Sequence, residues 1–98
     1  MISVEEACKI ALTKIPEDKK IIEVWETDRL WVFLDETFER PIIGPKPIAI
    51  FKKDGDFEYC FPWEKNTREY YFGSTKKIPF PEYLIKSGRA KTPAPSEN

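Results

Sequence analysis

The sequence predicts an α+β domain: an N-terminal helix on a four- to five-stranded, mainly antiparallel sheet, then a short C-terminal helix and a disordered tail. Three observations predict this class. The chain opens with a capping box and an amphipathic apolar stripe, and segments rich in β-branched and aromatic residues follow. An Asp-Gly pair joins two of these segments in a hairpin pattern. With 98 residues, 41% of them hydrophobic, the chain has the size of one domain.

The first predicted element is a helix that begins after Ser3 and ends near residue 14 or 15. Ser3 and Glu6 have the spacing at which each side chain bonds the other's backbone N–H. Pro16 lacks a backbone N–H and disfavours helical geometry in the residue before it. Apolar or small residues recur at the spacing of one helix face, at Val4, Ala7, Cys8, Ala11, Leu12 and Ile15.

The first two strands are predicted at residues 21–26 and 30–35. Both segments are rich in β-branched and aromatic residues, and Ile22 and Val24 define the expected apolar face of the first. The second segment is apolar at every position from 30 to 34, so both of its faces are expected to be covered. Such a strand belongs in the middle of the sheet.

The next two strands are predicted at residues 48–53 and 57–61. The Asp-Gly-Asp sequence at 54–56 suits the left-handed backbone angles of a tight hairpin turn. Three prolines and a glycine within 36–47 break regular pairing, so this segment is expected to be a loop.

The C-terminal part is predicted to contain a short strand and a brief helix. Residues 69–73 carry an aromatic run that suits a fifth strand. Residues 79–86 suit a helix with Gly88 just after its end. The residues that follow are small and polar, so we predict one domain over 1–88 and a flexible tail over 89–98.

The residue inventory argues against common catalytic chemistry. There is no histidine, so no side chain has an unperturbed pKa near neutrality. Cys8 and Cys60 are too few and too far apart for a disulfide framework or a metal motif, and are expected to be buried structural thiols. We therefore expect no catalytic residue, no metal and no cofactor. A minor enzyme that uses Cys60 is the alternative.

Acidic residues offer a second, weaker alternative. Asp35, Glu36 and Glu39 form a cluster that can in principle hold a cation or divide acid and base roles, but a solvated loop is the expected reading. The acidic turn at 54–56 lacks the remaining ligands of a calcium loop.

Charge and hydropathy limit the partners. Sixteen basic and seventeen acidic residues give a net charge of -1, which creates no field for a nucleic acid or an anionic membrane. No apolar run approaches the length of a membrane span, and the N-terminus has no secretory pattern, so the protein is expected in the cytoplasm.

The aromatic residues indicate a binding surface for another protein. Three Trp, four Tyr and seven Phe exceed what one small core hides. The alternative is that these rings form a second cluster beneath the C-terminal helix. Because Trp, Tyr and Arg most often anchor protein interfaces, the predicted partner-binding residues are Trp25, Trp31, Trp63, Arg68, Tyr70 and Tyr71.

Four segments resemble one protein family. The opening MISVEEA, the strand residues WVF, the phrase IGPKPIAIFKKDG and the closing IPFPEYL resemble the immunity protein 35 family, also called the YrhB-like domain. The resemblance spans residues 1–86. It implies a small bacterial cytoplasmic protein that binds and neutralises a cognate toxin without catalysis.

The opening helix and the strand after it also resemble PepSY-like domains, which are linked to peptidase inhibition. The resemblance to the immunity protein 35 family covers more of the chain, so a toxin-neutralising module is the leading expectation. A general peptide-binding or protein-binding domain, chaperone-like or peptidase-inhibiting, is the alternative. An edge strand of so small a sheet can pair with its counterpart in a second copy of the chain, so a homodimer is an alternative to a monomer.

Overall fold

The computed structural model of the chain describes residues 1–36 and 47–91. The elements in chain order are α1 (Val4–Leu12), β1 (Ile21–Glu26), β2 (Leu30–Asp35), β3 (Ile48–Phe51), β4 (Phe57–Tyr59), α2 (Glu69–Phe72), β5 (Lys76–Ile78) and α3 (Glu82–Lys86). Within the described residues, the five strands form one antiparallel sheet in the order β4-β3-β2-β1-β5, which confirms the predicted α+β class.

Helix α1 begins with the predicted capping box. Ser3 Oγ accepts from the backbone N–H of Glu6 at 3.1 Å, and Glu6 Oε1 accepts from the backbone N–H of Ser3 at 3.1 Å. The helix ends at Leu12, earlier than Pro16 alone predicts. The reason is local, because the Thr13 hydroxyl donates to the Ile10 carbonyl at 2.6 Å and satisfies a terminal acceptor.

The main core lies between the sheet and the two helices α1 and α3. Phe33 at the centre of β2 and Leu84 of α3 are both fully buried in it. The buried members of this core are Ala7, Cys8, Ala11, Ile15, Ile21, Val24, Phe33, Ile48, Ile50 and Leu84. The opposite face of the sheet carries a smaller buried cluster of Leu30, Val32, Leu34, Ala49, Phe51 and Cys60. Strand β2 is thus central and covered on both faces, as predicted.

A β-bulge changes the face assignment of β1. The register with β2 shifts between Ile21 and Glu23, so one extra residue separates the two paired positions. Ile21 and Val24 therefore face the main core, while Ile22 packs against the opposite cluster. The prediction that Ile22 and Val24 share one face is wrong, because strict alternation does not persist through a bulge.

The aromatic run at 69–73 is helical, so the prediction of a strand there is wrong. The backbone N–H of Phe72 donates to the Arg68 carbonyl at 3.0 Å, and that of Gly73 donates to the Glu69 carbonyl at 2.7 Å. The fifth strand lies further along the chain, at Lys76–Ile78. Contacts of Glu69 with the β1–β2 turn, described below, override the β propensity of the aromatic residues.

Helix α3 has the predicted position and uses a cap from outside its own segment. Gly88 follows it with a φ of 74°, in the left-handed region that favours glycine at a helix end. No side chain at its N-cap supplies an acceptor. Instead, Glu5 of α1 accepts from the backbone N–H groups of Glu82 at 3.0 Å and Tyr83 at 2.8 Å.

The chain stays attached three residues beyond the predicted domain end at 88. Ala90 forms a parallel bridge with Ile21, and the backbone N–H of Lys91 donates to the Ile21 carbonyl at 2.8 Å. The Arg89 guanidinium donates to the carbonyls of Pro16 and Lys19 at 3.0 and 2.8 Å. The prediction of a flexible tail that starts at residue 89 is therefore wrong for residues 89–91, because amino-acid composition does not show these contacts. The rest of the predicted tail lies outside the described residues.

Candidate functional site

The segment between β4 and β5 places a group of aromatic rings on the sheet face opposite α1. It connects the two edges of the sheet, and Cys60 and Tyr70 within it pack with the smaller buried cluster. Thr67 is fully buried, and its hydroxyl accepts from the backbone N–H of Phe61 at 3.3 Å. We refer to the rings of this segment as the aromatic surface, which consists of Phe61, Trp63, Tyr70, Tyr71 and Phe72.

The base of the aromatic surface is a contiguous set of rings above β1. The rings of Trp25 and Tyr70 meet edge to face with centroids 6.4 Å apart, and Tyr70 meets Tyr71 in the same way at 5.0 Å. The indole N–H of Trp25 donates to Glu23 Oε1 at 2.9 Å, and the Tyr71 hydroxyl donates to the Cys60 carbonyl at 2.9 Å. These two bonds orient the rings and satisfy their polar ends.

Two rings of the aromatic surface point into solvent. Trp63 is 76% exposed and Phe72 is 74% exposed, although both are large apolar residues. Trp63 stacks on Phe61 with centroids 4.8 Å apart and planes inclined by 14°. One face of the indole is covered by this stack, so it is the other face that is presented outward.

Glu69 fixes the short helix α2 to the turn between β1 and β2. Its carboxylate accepts from the Thr27 hydroxyl, from Arg29 Nε at 2.6 Å and from the backbone N–H of Arg29 at 3.3 Å. Arg29 also donates to the Asn66 carbonyl at 3.0 Å. Burial raises the pKa of the Glu69 carboxyl, but the bonds from Thr27 and Arg29 outweigh this effect and leave the pKa below its ordinary value.

The C-terminal end of α2 is fixed as well. The Thr75 hydroxyl donates to the carbonyls of Glu69 and Tyr70, at 3.2 and 3.0 Å. Helix α2 has only four residues and no side-chain cap at Arg68. Such a short helix owes its stability to tertiary contacts rather than to its own propensity.

Of the six predicted partner-binding residues, the structure brings three into direct ring contact, namely Trp25, Tyr70 and Tyr71. Trp63 lies on the same segment, in its own stack with Phe61. Arg68 is exposed and lies one helical turn before Phe72, so the two side chains share one side of α2.

Trp31 does not belong to this group. It packs against the main core on the α1 side of the sheet, whereas Trp25 packs on the opposite face. Its Nε1 atom is buried and has no hydrogen-bond partner in the part of the chain that the structure describes. Trp31 is half-buried and lies on the sheet face opposite Trp25, so these two predicted partner-binding residues do not share one surface.

The alternative of a ring cluster beneath the C-terminal helix is also corrected. A cluster exists, but it lies on the sheet face opposite α3, since Leu84 of α3 is buried in the main core. The predicted partner-binding residues did not include Phe61 or Phe72, although Phe72 belongs to the aromatic run noted in the sequence. The four-residue spacing between Arg68 and Phe72 places the two side chains on one side of a helix. This spacing could have indicated Phe72 as a partner-binding residue only if the segment had been predicted to be helical.

The two thiols have the environment of structural cysteines. Both are buried, and burial is the main cause that raises the pKa of Cys8 to about 11 and that of Cys60 to about 12. A thiol with such a pKa stays protonated near neutral pH and is a poor nucleophile. The geometry therefore gives no support to an enzyme that uses Cys60.

Two of the acidic residues singled out in the sequence, Glu36 and Asp54, accept backbone hydrogen bonds. Glu36 Oε1 accepts from the backbone N–H of Lys20 at 2.7 Å, which is the main reason that the pKa of Glu36 lies below its ordinary value. Asp54 Oδ1 accepts from the backbone N–H of Asp56 at 3.0 Å within the hairpin turn. Glu39 lies outside the described residues. Residues 1–36 and 47–91 contain no group of three or more side chains placed to hold a metal ion.

Comparison of the chain with protein-family models, with curated proteins and with solved structures gives no match in any of the three. The resemblance to the immunity protein 35 family thus stays a prediction from the sequence. No helix in the described part of the chain has the length and apolar character needed to cross a membrane.

Proposed function

We propose that this protein is a non-catalytic binding module that contacts a partner protein through the aromatic surface. The observation that carries the proposal is the exposure of Trp63 and Phe72, about three quarters in each case, on a segment whose backbone is fixed. A mobile loop loses entropy when a partner orders it, whereas this segment is already held by Glu69 and Thr75. Exposed rings on a preorganised support are the usual anchors of an interface.

The two exposed rings offer enough apolar area to matter for binding. A large aromatic side chain buries about 150 to 250 Å², and each buried Å² contributes about 25 cal/mol. For a ring that is three quarters exposed, full burial by a partner then has an upper bound of about 3 to 5 kcal/mol. The binding free energy available from either ring therefore reaches that of an interface hot spot, a residue whose truncation costs about 2 kcal/mol or more.

For the partner we propose a cognate bacterial toxin, which the protein neutralises by binding in the cytoplasm. The support for this finer step is the family resemblance in the sequence. The near-zero net charge favours apolar contacts over electrostatic mimicry of a nucleic acid.

A general peptide-binding role through the sheet edge has less support. At the β5 edge, the side chains of Lys76 and Lys77 are 75% and 58% exposed, and lysines on an edge strand oppose unselective pairing. The same two lysines oppose pairing of this edge with a second copy of the chain.

The first experiment is to purify the product of the adjacent upstream gene and measure its binding by titration calorimetry. We expect one-to-one binding in the nanomolar range, and co-expression should remove the toxicity of that product. Absence of binding, or toxicity that persists on co-expression, would exclude this gene product as the partner and remove the support for the toxin proposal.

Two substitutions test the surface itself. Trp63→Ala and Phe72→Ala should each weaken binding by about 30-fold or more, which corresponds to about 2 kcal/mol. Ile85→Ala is the matched control, because Ile85 is 58% exposed on α3, on the other side of the sheet. If the control weakens binding as much as the two aromatic variants do, the interface does not lie on the aromatic surface.

A further inference from the structure

A polar cleft lies at the end of the sheet where β1 and β3 finish and β5 begins. It has a volume of about 550 Å³ and is lined by Glu26, Thr27, Asp28, Lys52, Ser74, Thr75 and Lys76. Glu26 pairs directly with Trp31 on one side and with Lys76 on the other, so these three residues share a sheet face. Trp31 packs on the α1 side, and the cleft is therefore separate from the aromatic surface.

Lys52 carries a nearly buried ammonium group whose donors are only partly used. Its side chain is 10% exposed, its Nζ lies 2.7 Å from Glu26 Oε2, and the Trp31 ring centroid is 4.4 Å away. An ammonium has three N–H donors. Within residues 1–36 and 47–91, the bond to Glu26 is the single hydrogen bond that this group makes. A donor left unsatisfied next to a cleft favours an acceptor that enters it.

Two further donors border the same space. Lys76 Nζ forms a long ion pair with Glu26 Oε1 at 3.7 Å, and because its side chain is 75% exposed, solvent screens this pair and leaves donors of the ammonium for a ligand. Ser74 also lines the cleft, where its exposed hydroxyl is available as a donor. Glu26 is held by both lysines, and the hydrogen bond from Lys52 is the main cause that places its pKa below its ordinary value.

We propose that this cleft is a binding site for a single carboxylate group. Lys52 and Lys76 supply the charge, and the Ser74 hydroxyl supplies a third donor. The two lysines are balanced by Glu26 and Asp28, so the lining is neutral overall. A monoanion adds one negative charge to this neutral set, whereas a dianionic phosphate adds about two, which disfavours phosphate. Asp28 opposes the ligand and limits its affinity.

The test is a nitrogen-15 NMR titration of the full chain with sodium acetate, at constant ionic strength maintained with sodium chloride. We expect saturable shifts at the amides of Ser74, Thr75 and Lys76, with a dissociation constant of about 1 to 20 mM for so small a probe. Sodium phosphate should bind at least about fivefold more weakly. Shifts that rise linearly with acetate, or phosphate binding as tight as acetate binding, would overturn the proposal.

Matched variants separate this site from general salt effects. Lys76→Met should weaken acetate binding by about tenfold, and Asp28→Asn should strengthen it by about threefold. Lys86→Met is the control, because Lys86 is equally exposed, at 74%, and lies on α3. Lys52→Met leaves Glu26 without its close partner and can unfold the chain, so Ser74→Ala serves as the second variant. Equal effects of Lys76→Met and Lys86→Met would refute the assignment.

Two peptides identify the source of the carboxylate once acetate binds. One carries a single glutamate and an amidated C-terminus, and the other has a free C-terminus and no acidic side chain. Shifts at Ser74 with the first indicate an acidic side chain, and shifts with the second indicate a chain terminus. If acetate binds and neither peptide does, the site takes a free small acid. Trp63→Ala should leave all of these shifts unchanged, so the outcome is independent of the proposed partner surface.

Discussion

Replacing Glu69 with alanine should destabilise the protein more than any exposed ion pair can explain. The carboxylate joins α2 to the β1–β2 turn, and Thr27, which donates to it, is only 3% exposed. Removing the carboxylate leaves the buried Thr27 hydroxyl without an acceptor for its proton, which costs free energy of folding. Arg29 also loses its carboxylate, but its side chain is 55% exposed and solvent replaces much of that interaction.

The expected magnitude follows from these two contributions. A hydrogen bond from a buried hydroxyl to a carboxylate contributes about 1.5 to 3 kcal/mol, and an exposed ion pair contributes about 0.2 to 1 kcal/mol. Glu69→Ala should therefore lower the free energy of unfolding by about 2 to 4 kcal/mol. Glu69→Gln keeps an acceptor for Thr27 without the charge and should cost about half as much.

Urea unfolding followed by tryptophan fluorescence measures these differences. Glu82→Ala is the control, since the ion pair of Glu82 with Lys86 is exposed on both sides and should change stability by at most about 0.5 kcal/mol. If Glu69→Ala costs no more than Glu82→Ala, the carboxylate does not fix α2. The explanation for the preorganised aromatic surface would then be wrong.

Three further predictions concern the acid sensitivity of the fold, the start of α3 and the two thiols. The pKa values of Glu26 and Glu69 lie below the ordinary value of 4.5, so the stability that these two carboxylates contribute is present above that pH and is lost as the pH falls through their lower folded values. The urea midpoint should therefore decline on acidification, and the decline should be smaller in Glu69→Gln. Glu5→Ala removes the acceptor at the start of α3 and should cost about 1 to 2 kcal/mol in urea unfolding, and an unchanged midpoint would refute the cap. Cys8 and Cys60 should resist alkylation at about pH 8 in the folded protein and react in urea, and rapid labelling of the native state would contradict their burial.

The elements that sequence reasoning placed correctly are those whose signals lie within a few residues of one another. The Ser3 and Glu6 pair starts α1 because both partners of the capping box lie within one helical turn. Gly55 has a φ of 81°, so the Asp-Gly signal of the hairpin turn reports a local backbone requirement. The apolar character of β2 on both faces placed it in the centre of the sheet.

The errors share a different cause, which is a partner distant in the sequence. The aromatic run of α2 has strand propensity, but Glu69 within it bonds to Thr27 and Arg29, about 40 residues earlier in the chain. The bulge in β1 arises from its pairing with β2, and it cannot be read from β1 alone. Arg89 belongs to a polar segment by composition, yet carbonyls near residue 19 bind it.

The candidate sites follow the same division. Composition was enough to indicate that the chain has more aromatic rings than one small core can hide, and to argue against histidine-based catalysis. It was not enough to show that Trp25 and Trp31 face opposite sides, or that Trp63 and Phe72 are the exposed rings. Local preferences act over one turn or one hairpin, and they determined the helix, the hairpin and the central strand. Which side of the sheet a ring occupies, and which donors meet in a cleft, depends on register and long-range hydrogen bonds, and only the tertiary structure decides these.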